Sequence, residues 1–106
     1  MIERKQIRKF SRRVVREFHP RRIILFGSHA HGAPTEDSDV DILVILPFRG
    51  RAVDKSVEIR MKTLPPFPVD LLVRTPKMVR KRMAMGDSFM RDILEKGTVL
   101  YEADDS

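Results

Sequence analysis

Two short apolar runs, VDILVIL at 40–46 and VDLLV at 69–73, share one blemish, a single aspartate in second place. Runs of β-branched and leucine side chains this short, bounded by turn residues, read as strands buried on both faces. Such strands belong in a sheet covered by helices. A carboxylate inside such a run is costly unless something pairs with it. Asp41 and Asp70 therefore constrain the chain twice, demanding a covered sheet and a partner for each buried or half-buried acid. Successive strand residues alternate between faces, so Asp39 and Asp41 project the same way at the start of the first run. If the two runs lie side by side, Asp70 completes a cluster of three carboxylates.

The rest of the chain supplies the cover. Ile7, Phe10, Val14, Val15 and Phe18 recur at the spacing of a helix with one buried stripe, predicting a helix from about Ile2 to Phe18. Pro20 bars its continuation, and RIILF at 22–26 reads as a further buried strand ending at Gly27. After Pro47 and Gly50, the set Val53, Val57, Met61 and Leu64 fits a second long helix, which the proline-rich TLPPFP ends. Thr75-Pro76 is a helix start, with threonine as cap and proline in the first turn, opening a basic helix through about Met85. Gly86-Asp87-Ser88 restarts a last helix carrying Phe89, Met90, Ile93 and Leu94, closed by Gly97, and Val99–Tyr101 adds a short strand. This order predicts one α/β (α+β) domain over 1–106, built on a sheet of three to four strands flanked by helices.

Composition narrows the chemistry. The chain has no cysteine, so a metal must be held by oxygen or imidazole, which suits Mg²⁺ or Mn²⁺. No apolar run approaches the roughly 20 residues of a membrane span, and the basic N-terminus lacks the apolar centre of a signal peptide, so a cytoplasmic protein is expected. A formal net charge of +6 points to an anionic partner, whether nucleic acid, nucleotide or an acidic protein surface, and does not choose among them. Arg4, Lys5, Arg8, Arg12 and Arg16 on the first helix, with Arg80, Lys81 and Arg82, suit a solvated face as well as a docking one. With one tyrosine, no tryptophan and phenylalanines at core spacing, no RNA-stacking platform is expected.

The stretch FGSHAHGAPTEDSDVD at 26–41 crowds Glu36, Asp37, Asp39 and Asp41 behind two glycines and a serine. Converging carboxylates repel unless cations sit between them, and three of them can hold the metal ions of a phosphoryl or nucleotidyl transfer site. Gly27 removes a side chain that would block a phosphate, Ser28 offers a hydroxyl and an amide, and a helix starting there would aim its positive end at the same anion. A calcium loop is argued against by Ile42 where glycine is needed and Phe48 where the last glutamate should stand. His29 and His31 could bind Zn²⁺ or phosphate, but no further ligands are evident, and polar surface near the site mouth is the plainer expectation.

Gly27-Ser28, the run to Gly32 and Ser38-Asp39-Val40-Asp41 resemble the signature of the DNA polymerase beta-like nucleotidyltransferase superfamily. With the closing GTVLYE, the chain is most similar to its minimal nucleotidyltransferases, the MNT or MntA-type antitoxins. The resemblance implies a mixed sheet flanked by helices. It implies Asp39 and Asp41 as ligands of two Mg²⁺ ions, and Asp70 as a ligand of one ion that also helps deprotonate the acceptor. It further implies Gly27 and Ser28 as the holders of an NTP triphosphate, with AMP transfer from ATP to a HEPN-type toxin partner as the activity. His29 and His31 depart from it, standing where the family often carries arginines, which exchanges permanent charges for mostly neutral ones. A binding module that neutralises a partner by contact alone is the alternative reading.

Overall fold

In the computed structural model, which describes residues 2–104, helix α1 (Arg4–Phe18) leads into strands β1 (Arg22–Phe26) and β2 (Val40–Ile45). Helix α2 (Ala52–Thr63), strand β3 (Val69–Arg74), helices α3 (Pro76–Ala84) and α4 (Ser88–Lys96) and strand β4 (Thr98–Glu102) follow. The strands form a mixed sheet in the order β3-β2-β1-β4, with β1 antiparallel to both neighbours and β2 parallel to β3. Two parallel neighbours need a crossover, and α2 provides it. The expected helix-flanked sheet is what the chain forms, with four strands.

Strand alternation sorts the core into two layers. Ile23, Leu25, Val40, Ile42 and Val44 face α1 and α2, where they meet Ile7, Phe10, Val14 and Ile59. Ile24, Leu43 and Ile45 face the other way, against Val79 of α3 and Met90 and Ile93 of α4. Side chains of this kind, fully buried, stabilise the fold by about 1.5–3 kcal/mol each. The central strand β2 carries apolar residues to both layers, as its run of β-branched residues requires.

The local signals mostly act as expected. The Thr75 hydroxyl accepts the Met78 amide at 3.1 Å and the Asp87 carboxylate accepts the Met90 amide at 3.1 Å, capping α3 and α4. Helix α1 starts at Arg4 rather than Ile2 because Glu3 is its cap, the Gln6 side chain accepting the Glu3 amide at 2.8 Å in a capping box. Gly97 ends α4 in extended rather than left-handed backbone, and glycine is needed for space. A Cβ there would lie 2.5 Å from the Ile93 carbonyl and 2.6 Å from Ile24 Cγ2.

Helix α2 differs most from expectation. Val53, Val57, Met61 and Leu64 mark it as a helix, but all of them are exposed. The buried pair is Ile59 and Thr63, whose hydroxyl donates to the Ile59 carbonyl at 2.6 Å. Arg13 of α1 donates to the Thr63 carbonyl at 2.6 Å, and Phe67, from the loop after α2, packs edge-on against Phe10 at 5.7 Å. These ties turn the narrow Ile59–Thr63 side inward and leave the apolar stripe outside.

Candidate active site

Three neighbouring strands align one residue each. Phe26 of β1 lies opposite Asp41 of β2, and Asp41 lies beside Asp70 of β3. Residues paired this way share a face. It is the face covered by α3 and α4, since Phe26 and Leu72 both pack against the cluster formed there. The condition set by the sequence, that the two aspartate-bearing runs be adjacent, is met in register. Asp39 sits in the loop one residue before β2 and is exposed, as are Glu36 and Asp37 on the preceding turn.

The two strand aspartates differ in environment. Asp70 is exposed, because β3 is an edge strand, so the expected penalty for a carboxylate buried in an apolar run does not arise there. Asp41, on the central strand, is half-buried and bears it. Burial pushes its carboxyl above the usual 3.8, the charges of Asp70 and then Asp39 push it further the same way, and His29 partly offsets them.

Gly27 is held to glycine by two independent constraints. Its φ is +74°, in the left-handed region, and a Cβ would collide with the Asp41 carboxylate. The strand-end turn and the Asp41 carboxylate thus lie against each other. The helix expected to start here does not form. Ala30 and His31 donate to the Gly27 carbonyl at 3.1 and 3.3 Å, and Ala33 donates to that of Ser28 at 3.1 Å, giving a single helical turn. Gly32, at φ +74°, and Pro34 end it. Among the described residues the Ser28 and His29 amides reach no backbone acceptor, so the turn keeps the donors a helix start would have offered.

His29 is a correction. It is 6% exposed, not surface at the site mouth, and its Nε2 lies 3.2 Å from the Ser38 carbonyl. A carbonyl only accepts, so Nε2 carries the proton. Arg4 of α1 donates to the His29 carbonyl at 3.2 Å, while Ser38 is tied to Thr35 by its amide and its hydroxyl. The imidazole thus pins the two ends of the 27–39 loop together just before Asp39. Nothing local in the H-x-H spacing separates this buried histidine from His31, which is exposed.

Beside Asp70 an open groove of about 480 Å³ runs between α2 and β3, lined by Val53, Ser56, Arg60, Asp70 and Arg74 among others. Among the described residues no group of three His, Cys, Asp or Glu side chains is placed to hold a metal ion, so the expected cluster of Asp39, Asp41 and Asp70 is not formed as a three-carboxylate group. The carboxylates near Asp41 are oxygen donors that repel one another, a donor type that suits Mg²⁺. That ion keeps several waters and takes one or two carboxylates together with substrate phosphates.

Comparison with known proteins agrees with this geometry. The family model described as "Nucleotidyltransferase domain" matches residues 7–101, and the chain belongs to that family, which makes it a nucleotidyltransferase. It is 35% identical over 107 residues to the "Putative protein adenylyltransferase MJ0604" of Methanocaldococcus jannaschii, covering 95% of this chain and 100% of that one. In fold it is similar to the crystal structure of a putative nucleotidyltransferase from Sulfolobus solfataricus. The TM-score is 0.65 at 17% identity, over 96% of this chain and 82% of that one. No helix among the described residues is long and apolar enough to cross a membrane.

Proposed function

We propose that the chain transfers AMP from ATP to a hydroxyl of a partner protein. The observation that carries this reading is the register of Asp41 with Asp70, with the Gly27 turn packed against the Asp41 carboxylate. In the proposed reaction the acceptor oxygen bonds to the α-phosphorus, and the bond from that phosphorus to the oxygen bridging to the β-phosphorus breaks. Pyrophosphate leaves with the bonding pair, and the acceptor's proton passes to the exposed Asp70 carboxylate. Gly27 and Ser28 hold the triphosphate through the turn amides and the serine hydroxyl. Asp39 and Asp41, with Asp70 sharing one ion, are the proposed ligands of two Mg²⁺, which supply charge stabilisation at the phosphates when bound, and Mn²⁺ suits the same donors.

A protein as acceptor is supported by the name of the Methanocaldococcus relative, a protein adenylyltransferase, and by the exposed apolar stripe of α2. A HEPN-type toxin as that protein, with this chain as its antitoxin in the cytoplasm, rests on the family resemblance. One observation favours the alternative of a binding module without catalysis. His29 is turned inward onto Ser38, so it does not stand in for an arginine on the triphosphate.

The test is to incubate the protein with α-labelled ATP, Mg²⁺ and a candidate partner and look for label on protein. Asp39→Asn with Asp41→Asn should abolish labelling, and label persisting in that variant overturns the assigned roles. A tight complex that never labels establishes the binding module instead.

A further inference from the structure

The row that aligns Asp41 with Asp70 begins at Phe26, and Phe26 is not alone. The ring of Phe89, in the first turn of α4, meets it edge to face at a centroid distance of 5.9 Å and an interplanar angle of 83°. The rest of the α4 stripe is committed to the core, with Met90 and Ile93 each 3% exposed, whereas Phe89 is 56% exposed. A large exposed aromatic needs no explanation by itself. This one is fixed in orientation by Phe26, which is the strand partner of the aspartate at the centre of the candidate site. The Asp87 cap, whose carboxylate takes the Met90 amide at 3.1 Å, fixes the turn of helix that carries it. The result is an exposed aromatic ring braced against Phe26, at the edge of a site proposed to hold a triphosphate.

A triphosphate held at the Gly27 turn leaves its sugar and base to lie along the sheet face or in solvent. On the α3/α4 face the nearest fixed aromatic to Asp41 in the pairing register is Phe26, and Phe89 extends its surface outward. We infer that the Phe26–Phe89 pair is the nucleobase platform of this enzyme, with the base stacked on the exposed ring of Phe89. Phenylalanine offers no hydrogen-bonding group, so the platform selects by stacking area. It favours purines over pyrimidines and does not separate adenine from guanine. The inference rests on the nucleotidyltransferase reading of the site and adds the base subsite to it.

Isothermal titration in Mg²⁺ with the α,β-methylene analogues of ATP, GTP and UTP, and with inorganic tripolyphosphate, tests it. Stacking of one base on an aromatic side chain leads to an expected loss of roughly tenfold in affinity for the two purine analogues in Phe89→Ala. The loss should be smaller for the uridine analogue and absent for tripolyphosphate. Phe89→Trp should restore or strengthen purine binding, and Phe89→Leu, which keeps apolar packing on Phe26 without a π face, should behave as the alanine variant. Unchanged purine affinity in Phe89→Ala, or an equal loss for tripolyphosphate, overturns the platform while leaving the site itself standing. A wild-type protein that binds neither nucleotide nor tripolyphosphate overturns both.

Discussion

Replacing Gly27 by alanine sets two costs against each other's neighbours. An L-residue at φ +74° pays about 1–2 kcal/mol for the left-handed backbone. The added Cβ also falls on the Asp41 carboxylate, and forcing such an atom into a packed site costs typically about 1–3 kcal/mol. Together these reach about 2–5 kcal/mol, a large part of the roughly 5–15 kcal/mol that holds a domain of this size. At about 4–8 °C per kcal/mol, thermal unfolding followed by circular dichroism should show a melting temperature lower by roughly 10 °C or more. The second component has a specific partner, so it can be isolated. Asp41→Ala removes the colliding oxygen and Cγ and leaves a Cβ 3.4 Å from the new methyl, an ordinary contact. In the double variant only the backbone cost should remain, giving a coupling of about 1–3 kcal/mol between the two positions. Gly86→Ala is the control, since Gly86 has φ +79° and open space around it, and it should lose the backbone component alone. Equal losses at Gly27 and Gly86, or additive effects of Gly27→Ala and Asp41→Ala, would refute the packed contact between turn and carboxylate.

Two further outcomes follow from the same geometry. The Asp41 carboxyl is raised in the folded state, so the fold favours its protonated form. The associated stability is present below the usual 3.8 and is lost as pH rises through the raised folded value. Asp41→Asn should therefore melt higher than wild type at neutral pH in chelator, with the gap closing as pH falls toward 3.8, and a gap that widens on acidification contradicts this. On α2, Val57→Ser with Met61→Ser should shift stability by no more than about 0.5 kcal/mol per site, whereas Ile59→Ala should cost about 2–5 kcal/mol. Urea titration distinguishes them, and comparable losses would mean that the stripe faces the core after all.

What the chain disclosed about itself follows the range of each signal. Strand β2, the cap Thr75 and the helix restart at Gly86-Asp87-Ser88 were legible because β-branched runs and turn or capping residues act on their own neighbours. The set Val53, Val57, Met61 and Leu64 correctly announced a helix. Periodicity alone does not say which side is buried, and here Arg13 and Phe10, distant in sequence, decided it through Thr63 and Phe67. Asp39 and Asp41 could be nominated from alternation and Asp70 from its place in an apolar run; strand order sets Asp41 beside Asp70, while no metal-holding group of three forms among the described residues. That order also made Asp70 exposed at an edge and Asp41 half-buried at the centre. His29 reads as polar surface and Phe89 as part of an apolar helix face; the actual setting of each depends on a partner the local pattern does not reveal, Ser38 for one and Phe26 for the other.

The asymmetry between the two strand aspartates suits the proposed chemistry. β2 is hydrogen-bonded on both sides, so Asp41 is held in place by two neighbouring strands and packed against Gly27. Burial and the neighbouring carboxylates there cost stability, and the cost falls on a group proposed as a metal ligand, whose position must be fixed. Asp70 stands on the edge strand and is exposed, which suits the proton-accepting role proposed for it. In the proposed reaction the Gly27 turn lies at one end of the row and the exposed Asp70 at the other, so the order of the three strands sets triphosphate and acceptor on either side of Asp41.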